Sequence, residues 1–267
     1  MNKMTSQEII EWEKINLGEL FVSKEHYHHH AFEILNTHSV LRDDLVNCLS
    51  SVITLEPRIK KTKSVKNRGI KAKDLNIELR NLLRNKLTNE VKFEVNEEKG
   101  VFYFSSEKST IGGFDFAILN HTKNINSLRN LCFGELHYHE GENKWNEFLR
   151  KNEDLKQIAD ELKQKDSIGI NLHYREQDTD TPLIVGEIQF GNWALAYRDF
   201  FKVLKANVQN SIDCLVYIVP TGSLETMLSD GIVTYDKSVK ILNDFAKVIS
   251  VPVWVIGVDL KECKREI

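Results

Sequence analysis

The most informative segment of this chain extends from Ile168 to Asn192, IGINLHYREQDTDTPLIVGEIQFGN. Two runs of strand-forming residues flank the turn-forming segment TDTP at 179–182. The pattern predicts a β-hairpin whose first strand ends near Gln177 and whose second strand extends from Leu183 to Phe190. Because other strand-like and helical segments surround this hairpin in the sequence, we expect it to lie in the central sheet of an α/β domain.

The second strand of the predicted hairpin carries polar side chains among apolar ones. Since side chains alternate along a strand, Val185, Glu187 and Gln189 share one face. A polar group flanked by apolar residues is costly to bury without a partner, and two acids that share a divalent cation would offset that cost. Asp178 lies nine residues before Glu187, at the foot of the hairpin, and is the best-placed second acid.

Asp178 and Glu187 together predict a magnesium site. Mg²⁺ prefers hard oxygen ligands, polarises phosphate groups and lowers the pKa of a bound water. Gln189 would orient the attacking water or a phosphate oxygen by hydrogen bonding. Asp180, and Asp115 in the segment GGFDFAILN, are the alternatives to Asp178 as the first acid. Solvent-facing residues on an edge strand would also explain an isolated E-x-Q pattern, so the spacing alone does not establish catalysis.

The whole chain, 1–267, is predicted to form one domain with two parts. Residues from about 1 to 95 are predicted to be mainly helical, and residues from about 96 to 267 form an α/β core. A charged helical stretch lies between 142 and 165, and a further helix follows Asn192, a suitable N-cap. The strand candidates are Val101–Phe104, Phe114–Leu119, Cys132–Tyr138, Ile168–Arg175, Leu183–Phe190, Cys214–Val219 and Val253–Val258. The predicted architecture is a mixed central sheet flanked by helices.

A basic segment between Pro57 and Lys73 is the best candidate for contact with phosphate groups. It contains eight basic residues and no acidic ones. Glycine, serine and asparagine lie among them, which predicts a flexible loop that becomes ordered on DNA. A solvated surface loop is the alternative. The predicted DNA-binding residues are Lys60, Lys61, Lys63, Lys66 and Arg68.

The composition is that of an ordinary globular protein. Of the 267 residues, 41% are hydrophobic and 28% are charged, and the net charge is -3. A net charge near zero does not exclude DNA binding, which needs only a local positive surface. The roughly 18 consecutive apolar residues of a membrane helix and the apolar core of a secretory signal are both missing, so we expect a cytoplasmic protein. The four cysteines are far apart and are expected to be reduced, buried thiols.

Two groups of histidines offer a different metal chemistry. The His26–His30 cluster, within EHYHHH at 25–30, could bind zinc or another transition metal. His137 and His139, in ELHYHE, would share one face of a strand. Histidines this close in sequence rarely converge on one ion without a second cluster, so solvated histidines at the start of a helix are expected for the first group. A histidine-based metallohydrolase is the alternative hypothesis.

A family resemblance adds to these predictions. It rests on GEIQFGN at 186–192, the following helix with YRDF at 197–200, CLVYIVP at 214–220 and VPVWVIGVD at 251–259. These segments resemble the BglII and BstYI group of Type II restriction endonucleases, within the PD-(D/E)xK nuclease superfamily. The resemblance extends over about 75–259 and is sharp from 178 to 219. That group is similar in carrying E-x-Q, where E-x-K is more usual.

The resemblance implies a Mg²⁺-dependent nuclease in which Asp178 and Glu187 hold the metal and Gln189 replaces the usual lysine. It implies cleavage of double-stranded DNA at a short palindromic site, with 5′-phosphate ends, by a homodimer with one active site per strand. No nucleotide cofactor and no membrane partner are expected, and a methyltransferase would be the functional companion in a restriction–modification system. Because glutamine cannot supply charge, a catalytically inactive DNA-binding protein with a nuclease-like fold is the remaining alternative.

Overall fold

A computed structural model describes residues 4–62, 65–95, 113–120, 125, 128–129, 132–133, 140–164, 181–208 and 212–263. The strands of this part are β1 (Leu17–His28), β2 (Val52–Thr54), β3 (Pro57–Thr62), β4 (Val65–Ile70), β5 (Val91–Val95), β6 (Phe114–Ile118), β7 (Ile184–Ile188), β8 (Cys214–Pro220) and β9 (Val253–Cys263). The helices are α1 (Ser6–Glu13), α2 (Ala31–Thr37), α3 (Ser39–Leu49), α4 (Ala72–Lys86), α5 (Gly141–Lys151), α6 (Lys156–Gln164), α7 (Leu195–Val208), α8 (Gly222–Met227) and α9 (Tyr235–Asp244).

One mixed sheet organises the described part of the chain. Its strand order is β2-β1-β9-β8-β7-β6-β5, and β3 pairs with β4 in a separate hairpin. Strands β7, β8 and β9 are parallel to one another, whereas β6 runs antiparallel to β7 and β1 runs antiparallel to β9. The predicted α/β architecture with a mixed central sheet is confirmed.

Helices cover both faces of this sheet. One face packs against α1, α3 and α4 through Trp12, Leu45 and Leu79, and the other packs against α7 and α9 through Phe200 and Leu242. Strands β7 and β8 are therefore buried along their whole length, as is typical of central parallel strands. A charged residue on either strand must find its partner inside the protein, because water does not reach it.

The first 95 residues contain more strand than the sequence predicts. Helices α1 to α4 lie in this part, but β1, β2 and β5 belong to the main sheet. Strand β1 is half exposed and carries charged and histidine residues, so it lacks a clean alternation of apolar side chains. The basic segment that was expected to be a flexible loop is instead the antiparallel hairpin of β3 and β4.

Strand β7, which carries Glu187, lies between two described strands. It pairs with β6 on one edge and with β8 on the other. The predicted hairpin partner, Ile168–Arg175, is neither of these strands. That predicted strand and Val101–Phe104 lie outside the described residues, whereas β6, β7, β8 and β9 match their predictions. In the predicted strand Cys132–Tyr138, the first two residues are helical and 134–139 lie outside the described part.

Two predictions from composition can be compared with the structure. Cys48, Cys132 and Cys214 are buried free thiols, as expected. Burial raises the pKa of the Cys48 and Cys132 thiols to about 11 and that of Cys214 to about 12, so these cysteines stay protonated and unreactive. Within the described ranges, every helix is too short or too polar to cross a membrane.

Candidate active site

Strand β6 brings an acid next to Glu187. Phe116 pairs with Gly186 in antiparallel register, and the same register continued by one residue sets Asp115 opposite Glu187. Asp115 Oδ2 accepts a hydrogen bond from the backbone N–H of Ile188 at 2.8 Å. Carboxylates from two adjacent central strands thus face the same end of the sheet, although the two residues are far apart in sequence.

The contact between Phe116 and Gly186 fixes this register. A Cβ atom at Gly186 would lie 2.0 Å from Phe116 Cζ, so the aromatic ring occupies the space that a side chain would need. Cross-strand side-chain contacts of this kind specify register, because a slip by one residue reverses the face of every side chain. The absence of a side chain at 186 is therefore a condition for placing Asp115 beside Glu187.

Glu187 is almost completely buried, with 4% of its surface exposed. Its cationic partner is Lys202 of helix α7, whose Nζ forms an ion pair with Glu187 Oε1. The same Nζ donates to the carbonyl oxygen of Gly113 at 2.7 Å and lies 3.6 Å from Asp199 Oδ1. A buried ion pair is tolerated only when its remaining donors and acceptors are also satisfied, and oxygen atoms of Glu187, Asp199 and Gly113 do this for the ammonium group.

Gln189 is held by contacts at both ends of its carboxamide. Its Oε1 accepts a hydrogen bond from the Gly191 backbone N–H at 2.9 Å, and its Nε2 donates to Asp199 Oδ2 at 2.7 Å. Asp199 has no exposed surface, and its Oδ2 also accepts from Tyr217 Oη at 3.3 Å. Arg198 Nη2 lies 3.3 Å from the other oxygen, Oδ1. Gln189 therefore links the end of β7 to helix α7.

Glu187 and Asp199 share one fully buried cation, Lys202, so the centre of the cluster is short of positive charge. Burial raises the pKa of Glu187 to about 8, Lys202 opposes the rise, and the nearby carboxylates of Asp199 and Asp115 add to it. The pKa of Asp115 is also raised, chiefly by burial, against the stabilising effects of the Ile188 N–H and of Arg80. Several acids in a dry environment with too little compensating charge form a region where a cation would bind favourably.

Arg80 of helix α4 is the cation in contact with Asp115. Its Nη2 lies 2.8 Å from Asp115 Oδ1, and its Nη1 lies 2.5 Å from Glu94 Oε1. About a quarter of the Arg80 side chain is exposed, 24%, compared with 5% for Lys202. Asp115 therefore has a cation from the α4 side, and Glu187 has one from the α7 side.

Asp115 and Glu187 fit a hard divalent cation. Mg²⁺ is usually held by one or two carboxylates, with waters and substrate phosphates as its other ligands. Within the residues that the structure describes, no three His, Cys, Asp or Glu side chains converge on a metal position. The donor set is thus an open pair of carboxylates of the kind that suits Mg²⁺, without the closed shell of a structural zinc site.

The structure brings together two of the three residues predicted to be catalytic. Glu187 and Gln189 both face helix α7, which agrees with the predicted shared face. Asp178 and the alternative Asp180 lie outside the described residues, whereas the other alternative, Asp115, lies beside Glu187.

Lys202 and Asp199 were not singled out from the sequence. Their signal was a pair of charged residues three positions apart on the buried face of α7, among Ala196, Phe200 and Val203. A charged pair on the buried side of an amphipathic helix is unusual.

Two of the described histidines have structural partners, whereas His26 Nε2 is buried without a hydrogen-bond partner among the described residues. His28 Nε2 lies 2.7 Å from the carbonyl oxygen of Ile249, and His29 Nε2 lies 3.1 Å from that of Ala246. The expectation of solvated histidines holds for His29 and His30, which are exposed, and is wrong for His28, which is buried at the end of β1. His137 and His139 lie outside the described residues. The histidine-based hypothesis therefore has no group of ligands among the residues described.

Some of the predicted DNA-binding residues contact the protein itself, whereas others are exposed on the basic hairpin. Lys60 Nζ contacts the Leu228 carbonyl oxygen at 2.6 Å and Asp230 Oδ1 at 2.7 Å. Arg68 forms an ion pair with Glu262. In contrast, Lys61 and Lys66 pair with each other across the hairpin and are both exposed. The fifth residue, Lys63, lies outside the described part.

The buried carboxylate cluster falls within a stretch that matches a known family. The sequence model of the family described as restriction endonuclease BglII/BglIII matches residues 23–258. This chain belongs to that family. As a member of the BglII/BglIII family, the chain is a DNA-cleaving nuclease, and enzymes of this family generally use divalent metal ions. A comparison with curated protein sequences gives no match.

Two solved structures are similar to this BglII/BglIII family member. One is the crystal structure of restriction endonuclease BglII complexed with a DNA 16-mer, with 12% sequence identity and a TM-score of 0.48, covering 90% of this chain and 77% of that one. The other is the crystal structure of free BglII, with 11% identity and a TM-score of 0.39, covering 88% of this chain and 77% of that one.

Proposed function

We propose that this chain cleaves double-stranded DNA at a short palindromic site, in a Mg²⁺-dependent reaction that leaves 5′-phosphate ends. The observation that carries the proposal is the pair of carboxylates on adjacent central strands, Asp115 and Glu187, in a buried cluster with excess negative charge. Such a pair matches the ligand preference of Mg²⁺. Phosphodiester cleavage is the chemistry expected of a member of a restriction endonuclease family.

Asp115 and Glu187 would hold the metal, which when bound polarises the scissile phosphate and lowers the pKa of a water molecule. Asp115 replaces Asp178 as our first choice, because the strand register supports it. Asp178 remains a prediction. Both ends of the Gln189 carboxamide are engaged by Gly191 and Asp199, so we assign Gln189 to positioning the site rather than to orienting the attacking water.

The hairpin of β3 and β4 is the proposed contact with the DNA backbone. Lys61 and Lys66 are exposed and lie opposite each other. A cavity of about 360 Å³ beside the hairpin is lined in part by Arg58, Lys71 and Lys73. A two-stranded ribbon fits the major groove of DNA, and exposed lysines beside it would contact phosphate groups. Lys60 and Arg68 would serve mainly to hold the hairpin on the domain.

The outer face of α7 is the proposed contact with a second copy of this chain. Trp193, Tyr197 and Phe201 are 47%, 37% and 64% exposed, and Phe245 adjoins them with a ring distance of 6.2 Å to Tyr197. Exposed aromatic patches of this kind usually mark an interface. A second copy is the expected occupant, because two-fold symmetry would match a palindromic site. A cytoplasmic location follows from this role.

The test is cleavage of unmethylated phage DNA by the purified chain, with and without Mg²⁺, beside the variants Glu187→Ala, Asp115→Asn and Asp178→Asn. We expect discrete fragments that require Mg²⁺, loss of cleavage in the Glu187 and Asp115 variants, and ends that a ligase accepts as 5′-phosphates. Loss of cleavage in Asp178→Asn with full activity in Asp115→Asn would reverse our choice of the first acid.

The same experiment separates the alternatives. A folded wild-type chain that binds DNA but cuts none of several DNAs would favour the inactive DNA-binding protein. Cleavage that survives Glu187→Ala would place the active site elsewhere. Sedimentation of the chain with and without DNA, beside Phe201→Ser, tests the dimer, and a monomer on DNA that still makes double-strand cuts would contradict it.

A further inference from the structure

The side chain of Gln189 carries no charge, and its hydrogen bonds hold it in one position. Glutamine is neutral, and both ends of its carboxamide are occupied by Gly191 and Asp199. A nuclease site of the kind proposed above needs positive charge near the carboxylates, because negative charge accumulates on the phosphate during cleavage. The charge must therefore come from a residue outside the E-x-Q strand.

Lys202 is the cation in contact with Glu187. It enters from helix α7, is 6% exposed, and has its Nζ at Glu187 Oε1, at Gly113 O and near Asp199 Oδ1. The Nζ also lies 4.9 Å from the centroid of the Phe114 ring. With a carboxylate, a carbonyl oxygen and an aromatic face around it, the ammonium group is confined to one position.

Lys202 and the side chain of residue 189 meet at the same acid. Gln189 Nε2 lies 2.7 Å from one oxygen of Asp199, and Lys202 Nζ lies 3.6 Å from the other. A lysine placed at 189 would reach this carboxylate from the strand, whereas Lys202 reaches it from the helix. A lysine at either position could therefore place its ammonium group beside the same carboxylate.

We propose that Lys202 is the active-site lysine of this chain, a positioning residue that supplies from helix α7 the positive charge missing at Gln189 and holds the Glu187 carboxylate in its catalytic orientation. This inference rests on the proposed nuclease function. Asp199 takes part by holding Lys202 and Gln189 together, so the strand and the helix act as one unit.

A charge-exchange experiment tests this. The variants are Lys202→Met, the double variant Gln189→Lys with Lys202→Met, and Lys205→Met as a control on the same helix. Single-turnover cleavage of prebound DNA gives the rate of the chemical step, and DNA affinity is measured separately without Mg²⁺. We expect Lys202→Met to slow cleavage by about 100-fold or more while the Kd for DNA stays within a few-fold.

The double variant keeps the net charge of the buried cluster and returns lysine to the strand. We expect the double variant to cleave DNA at least about tenfold faster than Lys202→Met. A lysine with a purely structural role at 202 would not be replaced in this way by a lysine at 189. If Lys202→Met does not fold, the double variant is compared directly with the wild type. A folded double variant no faster than Lys202→Met, or wild-type cleavage by folded Lys202→Met, would overturn the inference. An inactive wild type would instead contradict the proposed function.

Discussion

Two polar clusters lie on the same sheet, and they differ in burial and in charge balance. At the β1 edge, Arg42 and Glu25 form an ion pair whose side chains are 32% and 27% exposed, and Tyr27 and Trp254 also donate to the Glu25 carboxylate. At the centre, Glu187, Asp199 and Lys202 are at most 6% exposed.

The balance of charge separates the two clusters more clearly than their residue types do. In the edge cluster the half-buried acid, Glu25, has its own cation in Arg42, which also contacts the exposed Asp43. The fully buried part of the central cluster sets Glu187 and Asp199 against Lys202, while the more exposed Arg80 and Arg198 contact Asp115 and Asp199 from outside. A balanced, half-exposed network stabilises a fold modestly, whereas excess acid in a dry region costs stability and is expected where a cation is to be bound.

The largest expected effect comes from neutralising one acid in each cluster. Glu187→Gln should reduce Mg²⁺-dependent cleavage by about 10³-fold or more, because a ligand of the metal and the partner of Lys202 are lost together. Glu25→Gln should leave the cleavage rate within about twofold. The cleavage rates of the two folded variants are measured side by side. An equal loss of rate in both would contradict the proposed difference between the clusters.

The register of the central strands gives the next effect. Gly186→Ala should lower the free energy of unfolding by about 1–3 kcal/mol, because its Cβ would collide with the Phe116 ring. Chemical denaturation measures the loss. Phe116→Leu in the same chain should restore part of the stability, and a Gly186→Ala variant as stable as the wild type would show that the ring does not fix the register.

The exposed and the engaged lysines of the hairpin should differ in their salt dependence. Replacing Lys61 and Lys66 with alanine should weaken DNA binding and reduce the slope of log K against log salt by about 2, since roughly 0.9 of a counterion is released per phosphate contact. Lys60→Ala should change the slope much less, because its ammonium group is held by Leu228 and Asp230. Titrations at several salt concentrations measure both, and equal slopes would contradict the division.

The smallest effect concerns pH at the β1 edge. Burial lowers the pKa of His28, while the hydrogen bond to the Ile249 carbonyl oxygen opposes this shift. A lowered folded-state pKa means that the neutral form is favoured in the native protein. The stability from His28 is therefore complete above the unfolded pKa of about 6.5 and is lost as pH falls below it.

Thermal unfolding from pH 5 to pH 8 tests this sign. His28→Gln keeps a hydrogen-bond donor for Ile249 but cannot titrate, so its Tm should fall less than that of the wild type as the solution is acidified. The exposed neighbour supplies the control variant, His29→Gln. A wild type whose Tm is as insensitive to acid as that of His28→Gln would contradict the assignment.

The sequence predicted the central strands better than the edge, for a physical reason. Strands β7, β8 and β9 are continuous apolar runs because they are buried on both faces, and such runs are visible in a sequence. Strand β1 is half exposed and mixes charges with histidines, so its pattern is weak. The basic hairpin looked like a loop because its exposed residues are hydrophilic, whatever their backbone conformation.

The site itself could be predicted only along one strand. Glu187 and Gln189 follow from alternation, which is a local property of β7. Asp115, Asp199 and Lys202 reach the same place through strand pairing and helix packing, and these contacts between distant segments leave no fixed spacing in the sequence. Asp115 was considered only as an alternative, because the preferred hairpin placed a nearer acid beside Glu187.

The contact between the Phe116 ring and Gly186 couples the substitutions that the protein can accept at these two positions. A side chain at 186 would be acceptable only in a chain whose residue 116 is smaller than phenylalanine. A side chain at 186 should therefore be tolerated together with a smaller residue at 116 and rejected when it is introduced alone. In a library that randomises both codons, a larger residue at 186 should occur in functional clones only with a smaller residue at 116. The combined size of the two residues would then reflect the space between β6 and β7.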